Sequence, residues 1–190
     1  IDFTGNIYCI KCGKNIKKTF GQGFCYTCFI TIPEAEDCVL RPELCRAHEG
    51  IARDMDYAKQ NCLIDHYVYF ALTNTIKVGV TRNTQIPTRW IDQGAESSII
   101  FAKTPNRYTA GLIEVELKKI IPDKTNWRTM LKNNNSNEQD FDQIFQKAYN
   151  SLSENLRKYI IYDNTKIFRF TYPIIQIPST LQSISFDKQS

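Results

Sequence analysis

The chain has 190 residues, of which 42% are hydrophobic and 23% are charged. This length and composition favour one compact domain with a small appendage and argue against wholesale disorder. No apolar run approaches the roughly 18 residues that a membrane-spanning helix needs, and the first residues lack a signal-peptide pattern, so we expect no membrane association. The cysteine count of 7 is odd and fits a complete disulfide framework poorly, which predicts a reducing compartment, the cytoplasm.

The net charge of +4 is unevenly distributed along the chain. Residues 1–32 carry four lysines against one acidic residue, residues 33–62 are net acidic, and residues 66–132 have ten Lys and Arg against five Asp and Glu. Basic segments on either side of an acidic one suggest a polyanion-binding surface. Lysines that serve only solubility would explain the charge equally well.

Four of the cysteines form two C-x-x-C pairs near the N-terminus. Cys9 and Cys12 make the first pair, and Cys25 and Cys28 make the second, with twelve residues between the pairs. Structural zinc takes four soft ligands in a tetrahedron, and one C-x-x-C turn supplies two of them. A redox-active pair or an iron–sulfur cluster would use the same residue type, but no βαβ pattern surrounds either pair. The spacing therefore predicts one structural zinc ion in an N-terminal zinc ribbon, residues 1–32.

The ribbon also combines lysines with an aromatic side chain. Lys11 lies in the first pair, and Lys14, Lys17, Lys18 and Phe20 lie in the loop between the pairs. Lysines suit contact with phosphates, and an aromatic ring suits stacking on a base. Because a segment this short lacks an adequate core, a role as a fold staple explains the ribbon nearly as well.

A second group of metal-binding residue types follows in residues 33–65 and just after them. We expect a helix from Pro42 to residue 60, and residues three apart on a helix share one face. The five candidates are Cys38, Cys45, His48, Cys62 and His66, and any four of them can close a tetrahedral site. We predict that a second zinc ion takes Cys38, Cys45, His48 and Cys62, with His66 as the alternative ligand.

Two other interpretations of this second group stay open. Cysteines on an amphipathic helix are often only small buried hydrophobic residues. Cys62 and His66 could instead form a nucleophilic dyad, although no third member is visible in the sequence.

Downstream of residue 66, β-rich runs alternate with helical patterns. Residues 67–72 and 76–81 predict an antiparallel hairpin, and residues 97–103 predict a third strand. A short helix is expected between Pro87 and Gly94. A longer helix is expected with Thr104 as its cap, Pro105 at its first position and an end before Pro122, and it carries one apolar stripe: Ala110, Ile113, Leu117, Ile120 and Ile121.

The C-terminal part begins with an asparagine-rich linker, residues 133–138. Residues 140–160 have helical spacing, and residues 166–177 are typical of an extended strand. We expect four parts: the zinc ribbon (1–32), a helical segment with the second metal site (33–65), a central module (66–132), and a linker, helix and C-terminal strand (133–190).

The central module carries residues in the order and spacing of a known family. Roughly residues 66–128 resemble the GIY-YIG nuclease superfamily, with Glu114, Pro122 and Asn126 at the relative spacing of that family. The resemblance implies an α+β fold, a small antiparallel three-stranded sheet flanked by helices. A cysteine-rich ribbon before such a module is also similar to bacterial proteins of unknown function. The matching features are Tyr67-Val68-Tyr69, Lys77-Val78-Gly79, Arg89, Glu114 and Asn126.

The resemblance implies a role in phosphodiester cleavage for four side chains. Tyr69 would act as general base or orient the attacking water, Arg89 would hold the phosphate, and Glu114 would anchor one Mg²⁺. Lys77 stands where the family has a second tyrosine, so it could depress the pKa of Tyr69 or replace its partner without preserving activity. Gln93 stands where many members have a histidine.

Three functions are compatible with these features. The first is a zinc-containing, Mg²⁺-dependent nuclease, which requires Tyr69, Arg89 and Glu114 to converge and fails if Glu114 is buried in a salt bridge. The second is a non-catalytic nucleic-acid or ribonucleoprotein-binding protein that uses the same surface. The third is a zinc-stapled protein-interaction scaffold. The candidate contacts to DNA or RNA are Lys11, Lys14, Lys17, Lys18, Arg82 and Asn126.

Overall fold

The N-terminal segment folds into a small unit with the form of a zinc ribbon, made of two short strands and one short helix. The computed structural model describes residues 4–124, 140–163 and 166–173. Strand β1 (Ile7–Tyr8) pairs antiparallel with β2 (Asn15–Ile16), and helix α1 (Tyr26–Thr31) follows the second C-x-x-C turn. Buried cysteines and Phe24 supply most of the interior of this unit, so its core is small.

The prediction of one helix from Pro42 to residue 60 is wrong. The chain forms short 3-10 turns instead, and a true helix, α2, covers only Met55–Asn61. Gly50 adopts a left-handed conformation (φ 79°) that ends the preceding turn, and Asp54 caps α2 by accepting hydrogen bonds from two backbone N–H groups. The 3-10 turns are Pro33–Ala35, Asp37–Val39, Pro42–Leu44 and Ala47–Glu49.

The central sheet confirms the predicted hairpin and third strand but has four strands, not three. Its spatial order is β4 (Ile76–Arg82), β3 (His66–Leu72), β5 (Ser97–Thr104) and β6 (Phe168–Arg169), with every neighbouring pair antiparallel. The added strand β6 comes from the segment predicted to be extended, of which residues 174–177 lie outside the described ranges.

Two helices complete the central module. Helix α3 (Thr88–Asp92) is the short helix predicted after Pro87, and it buries Trp90 completely. Helix α4 (Arg107–Leu117) packs its predicted apolar stripe on the sheet, with Ile113 and Leu117 fully buried. The cap assigned to Thr104 is wrong: the side-chain oxygen of Asn106 accepts a hydrogen bond from the N–H of Thr109 at 2.9 Å.

The C-terminal helical segment is divided in two. Helix α5 (Phe141–Ser151) and helix α6 (Glu154–Arg157) are separated at Ser153, whose N–H and Oγ each donate to the Glu116 carboxylate at 2.8 Å. Both helices contribute buried side chains to the main core, so the C-terminal part covers the central module. The linker predicted at 133–138 lies outside the described ranges. No helix within those ranges has the length and apolar character that a bilayer span requires.

The turn Pro42–Leu44 docks on helix α4 at Gly111. A Cβ atom on Gly111 would lie 2.2 Å from the backbone nitrogen of Glu43, a distance that a side-chain rotation cannot relieve. We expect Gly111→Ala to destabilise the protein by about 3 kcal/mol, although the same change in an exposed helix stabilises by about 1 kcal/mol. Urea unfolding measures the difference, with Val115→Ala on the exposed face of α4 as the control. A stabilised Gly111→Ala variant would contradict this docking.

Candidate functional site

The four cysteines of the ribbon form one cluster. The sulfur atoms of Cys9, Cys12, Cys25 and Cys28 all lie within 4.8 Å of one another. The N–H of Cys25 donates to the sulfur of Cys9 at 3.2 Å, and the backbone donor at Cys12 lowers the pKa of Cys9 to about 6. All seven cysteines are free thiols. Four thiols at this spacing, with amide donors that favour the thiolate, fit a metal ion.

A second cluster contains three thiols and no histidine. The sulfur atoms of Cys38, Cys45 and Cys62 lie within 4.8 Å of one another and are buried. The neighbouring thiol of Cys38 and the backbone N–H of Ala47 lower the pKa of Cys45. Because the predicted helix is absent, Cys45 and His48 do not share a helix face. Three convergent thiols suit metal ligation better than the nucleophilic role considered for Cys62.

The two histidines lie outside this thiol cluster. The ring of His48 stacks on Tyr108, with 4.2 Å between ring centroids, and Tyr108 itself packs against the cluster. Nδ1 of His66 lies 2.8 Å from the carbonyl oxygen of Ile64, and its buried Nε2 has no hydrogen-bond partner. Burial lowers the pKa of His66 to about 4, so its ring is neutral at pH 7.

Three of the four residues predicted to be catalytic converge in one pocket. Tyr69 from β3, Arg89 from α3 and Glu114 from α4 all line it. Lys77 does not line this pocket, and burial lowers its pKa. The pocket therefore brings together a phenol, a guanidinium and a carboxylate from three separate elements.

Tyr69 reaches the pocket across the neighbouring strand. A Cβ atom on Gly79 would lie 2.6 Å from the phenolic oxygen, so this position must lack a side chain. The hydroxyl donates to Oε1 of Gln93 at 3.2 Å, and burial raises the pKa of Tyr69 although Arg89 acts to lower it. Burial therefore outweighs the cation beside Tyr69, and the suggested depression of this pKa by Lys77 stays a prediction. Tyr69 keeps its proton at neutral pH and can orient a bound group through its hydroxyl.

Glu114 is buried in an ion pair, which is the condition stated above for failure of the nuclease hypothesis, so that hypothesis holds only if a cation displaces the partner of Glu114. The ammonium of Lys118 lies 3.3 Å from Oε2 of Glu114 and 3.3 Å from Oδ2 of Asp123. Burial raises the pKa of Glu114, while Lys118 opposes that shift. The sequence signal for this pair is its spacing, since Lys118 is the C-cap of α4 and follows Glu114 by four residues.

The predicted nucleic-acid contacts have different environments. Lys14, Lys17 and Lys18 line a shallow surface on the ribbon together with two aromatic rings, whereas Lys11 is held by Glu34 in a 2.5 Å ion pair. Arg82 donates to the side-chain oxygen of Asn61. Asn126 lies outside the described ranges.

Comparison with known proteins gives a family but no characterised relative. No curated protein matches the chain, and no solved structure matches it. A family model described as Protein of unknown function (DUF2797) matches residues 1–190. The chain therefore belongs to the DUF2797 family.

Proposed function

We propose that this chain is a zinc-containing nucleic-acid-binding protein that holds a phosphodiester in the pocket of Tyr69, Arg89 and Glu114. The convergence of these three side chains carries the proposal. A guanidinium binds a phosphate through two parallel hydrogen bonds, and the hydroxyl of Tyr69 can donate a further one if it exchanges its hydrogen bond to Gln93 for the phosphate. Arg89 is exposed, so a phosphate reaches it without rearrangement of the fold.

Binding is tested by titrating labelled DNA and RNA oligonucleotides at several salt concentrations. Phosphate contacts predict that the logarithm of the binding constant falls linearly with the logarithm of salt concentration. Arg89→Gln should weaken binding, while Glu114→Ala should not. Absence of affinity for both polymers at physiological salt would favour the zinc-stapled protein-interaction scaffold instead.

Phosphodiester hydrolysis at the same pocket is the second candidate function, and it requires a cation to displace Lys118 from its ion pair with Glu114. The ammonium of Lys118 lies between two carboxylates, a position that a divalent cation could occupy. Glu114 and Asp123 would hold a Mg²⁺ ion there, because oxygen ligands and retained waters suit this metal. When bound, Mg²⁺ would neutralise charge on the phosphoryl oxygens. Tyr69 would orient the attacking water, and Arg89 would hold the phosphate in line.

We also propose that both cysteine clusters bind zinc in the reducing environment of the cytoplasm. The ribbon offers four thiolates, which close a tetrahedral site. The second cluster offers three, and its fourth position can be filled by His48, by His66 or by solvent.

Metal content distinguishes these arrangements. We expect two zinc ions per chain in the parent and one in Cys45→Ser, because a two-thiol remnant holds zinc weakly. With Co²⁺ in place of zinc, His48→Ala or His66→Ala will change the d–d spectrum only if that ring is a ligand. A parent chain with one tightly bound zinc would show that the second cluster holds free thiols.

A further inference from the structure

A second cleft adjoins the phosphate pocket, and the described residues that line it include three arginines and no acidic side chain. It has a volume of about 310 Å³. The cleft shares Arg89 and the segment from Val39 to Pro42 with the pocket, so the two are continuous. Its lining residues include Gln22, Leu40, Arg82, Gln85, Arg89 and Arg107. We call this region the arginine cleft.

Two of its arginines are fixed in place by uncharged partners. Arg107 donates to the carbonyl oxygen of Cys38 at 3.1 Å and to that of Asn61 at 3.2 Å, while its buried Nε has no partner. Arg82 is held by the side chain of Asn61. Across the described ranges, no carboxylate lies within 4.0 Å of a nitrogen of Arg82, Arg89 or Arg107. In the described ranges no carboxylate therefore neutralises these three guanidinium groups by direct ion pairing, while Arg107 also favours the ionised form of the Cys45 and Cys62 thiols.

Apolar side chains also line the arginine cleft, and one of them is strongly exposed. Leu40 is 68% exposed, although it belongs to a short turn between two cysteines of the second cluster. An apolar rim beside fixed cations suits a strand of nucleic acid, whose sugars and bases are apolar and whose phosphates are anionic.

We propose that the arginine cleft binds the phosphate next to the one in the pocket and so sets the path of the polynucleotide strand. This inference rests on the proposed function, because it assigns the direction in which the strand leaves the Tyr69 pocket. Arg89 would lie between two consecutive phosphates, one in the Tyr69 pocket and one in the arginine cleft. Arg82 would contact the phosphate in the arginine cleft. Gln22, at the turn of the ribbon, and Gln85 would line the path on either side.

Changes of charge at Gln85 test the proposal without removing a structural arginine. In a Glu114→Gln background, which prevents cleavage, fluorescence anisotropy reports binding of labelled 12-residue DNA and RNA strands. We expect Gln85→Glu to weaken binding by about three- to tenfold and Gln85→Lys to strengthen it by a similar factor. Arg82→Gln should reduce the slope of log K against log salt by about 0.7, the value for one phosphate contact on a single strand.

The control is Gln146→Glu, the same change on the exposed face of α5, which should leave binding unaltered. If both Gln85 variants behave like Gln146→Glu while Arg89→Gln weakens binding, the arginine cleft is not on the path, but the proposed function stands. If the parent binds neither polymer at low salt, both proposals fail. A difference between the DNA and RNA arms identifies the preferred polymer.

Discussion

Replacing Glu114 with glutamine should reduce Mg²⁺-dependent strand cleavage by at least about a hundredfold and leave binding of the strand almost unchanged. Glutamine keeps the size of the side chain but removes the charge that a cation needs. Tyr69→Phe should have a similar effect on cleavage, because it removes the hydroxyl that positions the reacting group. Single-turnover cleavage of labelled DNA and RNA measures both effects.

Lys118 supplies the matched control for this prediction. Its ammonium lies between Glu114 and Asp123, so a Mg²⁺ ion at that place must displace it. Burial acts to lower the pKa of Lys118, but the two carboxylates raise it by more. The side chain is therefore charged at neutral pH. We therefore expect Lys118→Ala to lower the Mg²⁺ concentration required for half-maximal cleavage.

The outcomes separate the two candidate functions. Cleavage that disappears in Glu114→Gln and needs less Mg²⁺ in Lys118→Ala would establish a nuclease. A parent that binds a strand tightly but does not cut it at any Mg²⁺ concentration would identify Lys118 as a permanent substitute for the metal. The protein would then grip a phosphodiester without hydrolysing it.

Features set by short-range sequence were predictable. The hairpin of β3 and β4 follows from two β-rich runs joined by three polar residues, and the structure has it with nearly the same ends. The ribbon cluster follows from the spacing of its cysteines, because each C-x-x-C turn places two thiols side by side. These elements depend on neighbouring residues, which a pattern can register.

Features set by long-range contacts were not predictable. Strand β6 pairs with β5 across about seventy residues, and no local pattern indicates which sheet edge it joins. The prediction of a helix through Cys45 and His48 did not take Gly50 into account. The left-handed conformation of Gly50 ends the 3-10 turn Ala47–Glu49. The arginine cleft combines residues from the ribbon, the cysteine-rich turns, the sheet and helix α4, so its lack of acidic residues became apparent only in the fold.

If the ribbon binds a metal ion as proposed, removing that ion should unfold the ribbon and leave the central sheet folded. The ribbon has two two-residue strands and one short helix, and its buried interior consists largely of its own clustered cysteines. Structural zinc contributes about 10–16 kcal/mol in peptides of this kind, far more than such a small core supplies. We expect the Cys25→Ser substitution to unfold the ribbon in the same way as treatment of the parent protein with a strong chelator.

Amide hydrogen exchange provides the measurement for this second prediction. The N–H groups of Cys25 and Cys28 donate to cysteine sulfur in the folded ribbon, so their exchange should accelerate by several orders of magnitude once the thiolates lose their metal. Amides of Val68 and Phe70, in the central strand of the sheet, should remain protected because their core does not include the ribbon. Cys62→Ser, which affects the second cluster, should leave the ribbon amides protected. Ribbon amides that stay protected after complete loss of zinc would mean that packing alone holds this unit, and the four cysteines would then need another explanation.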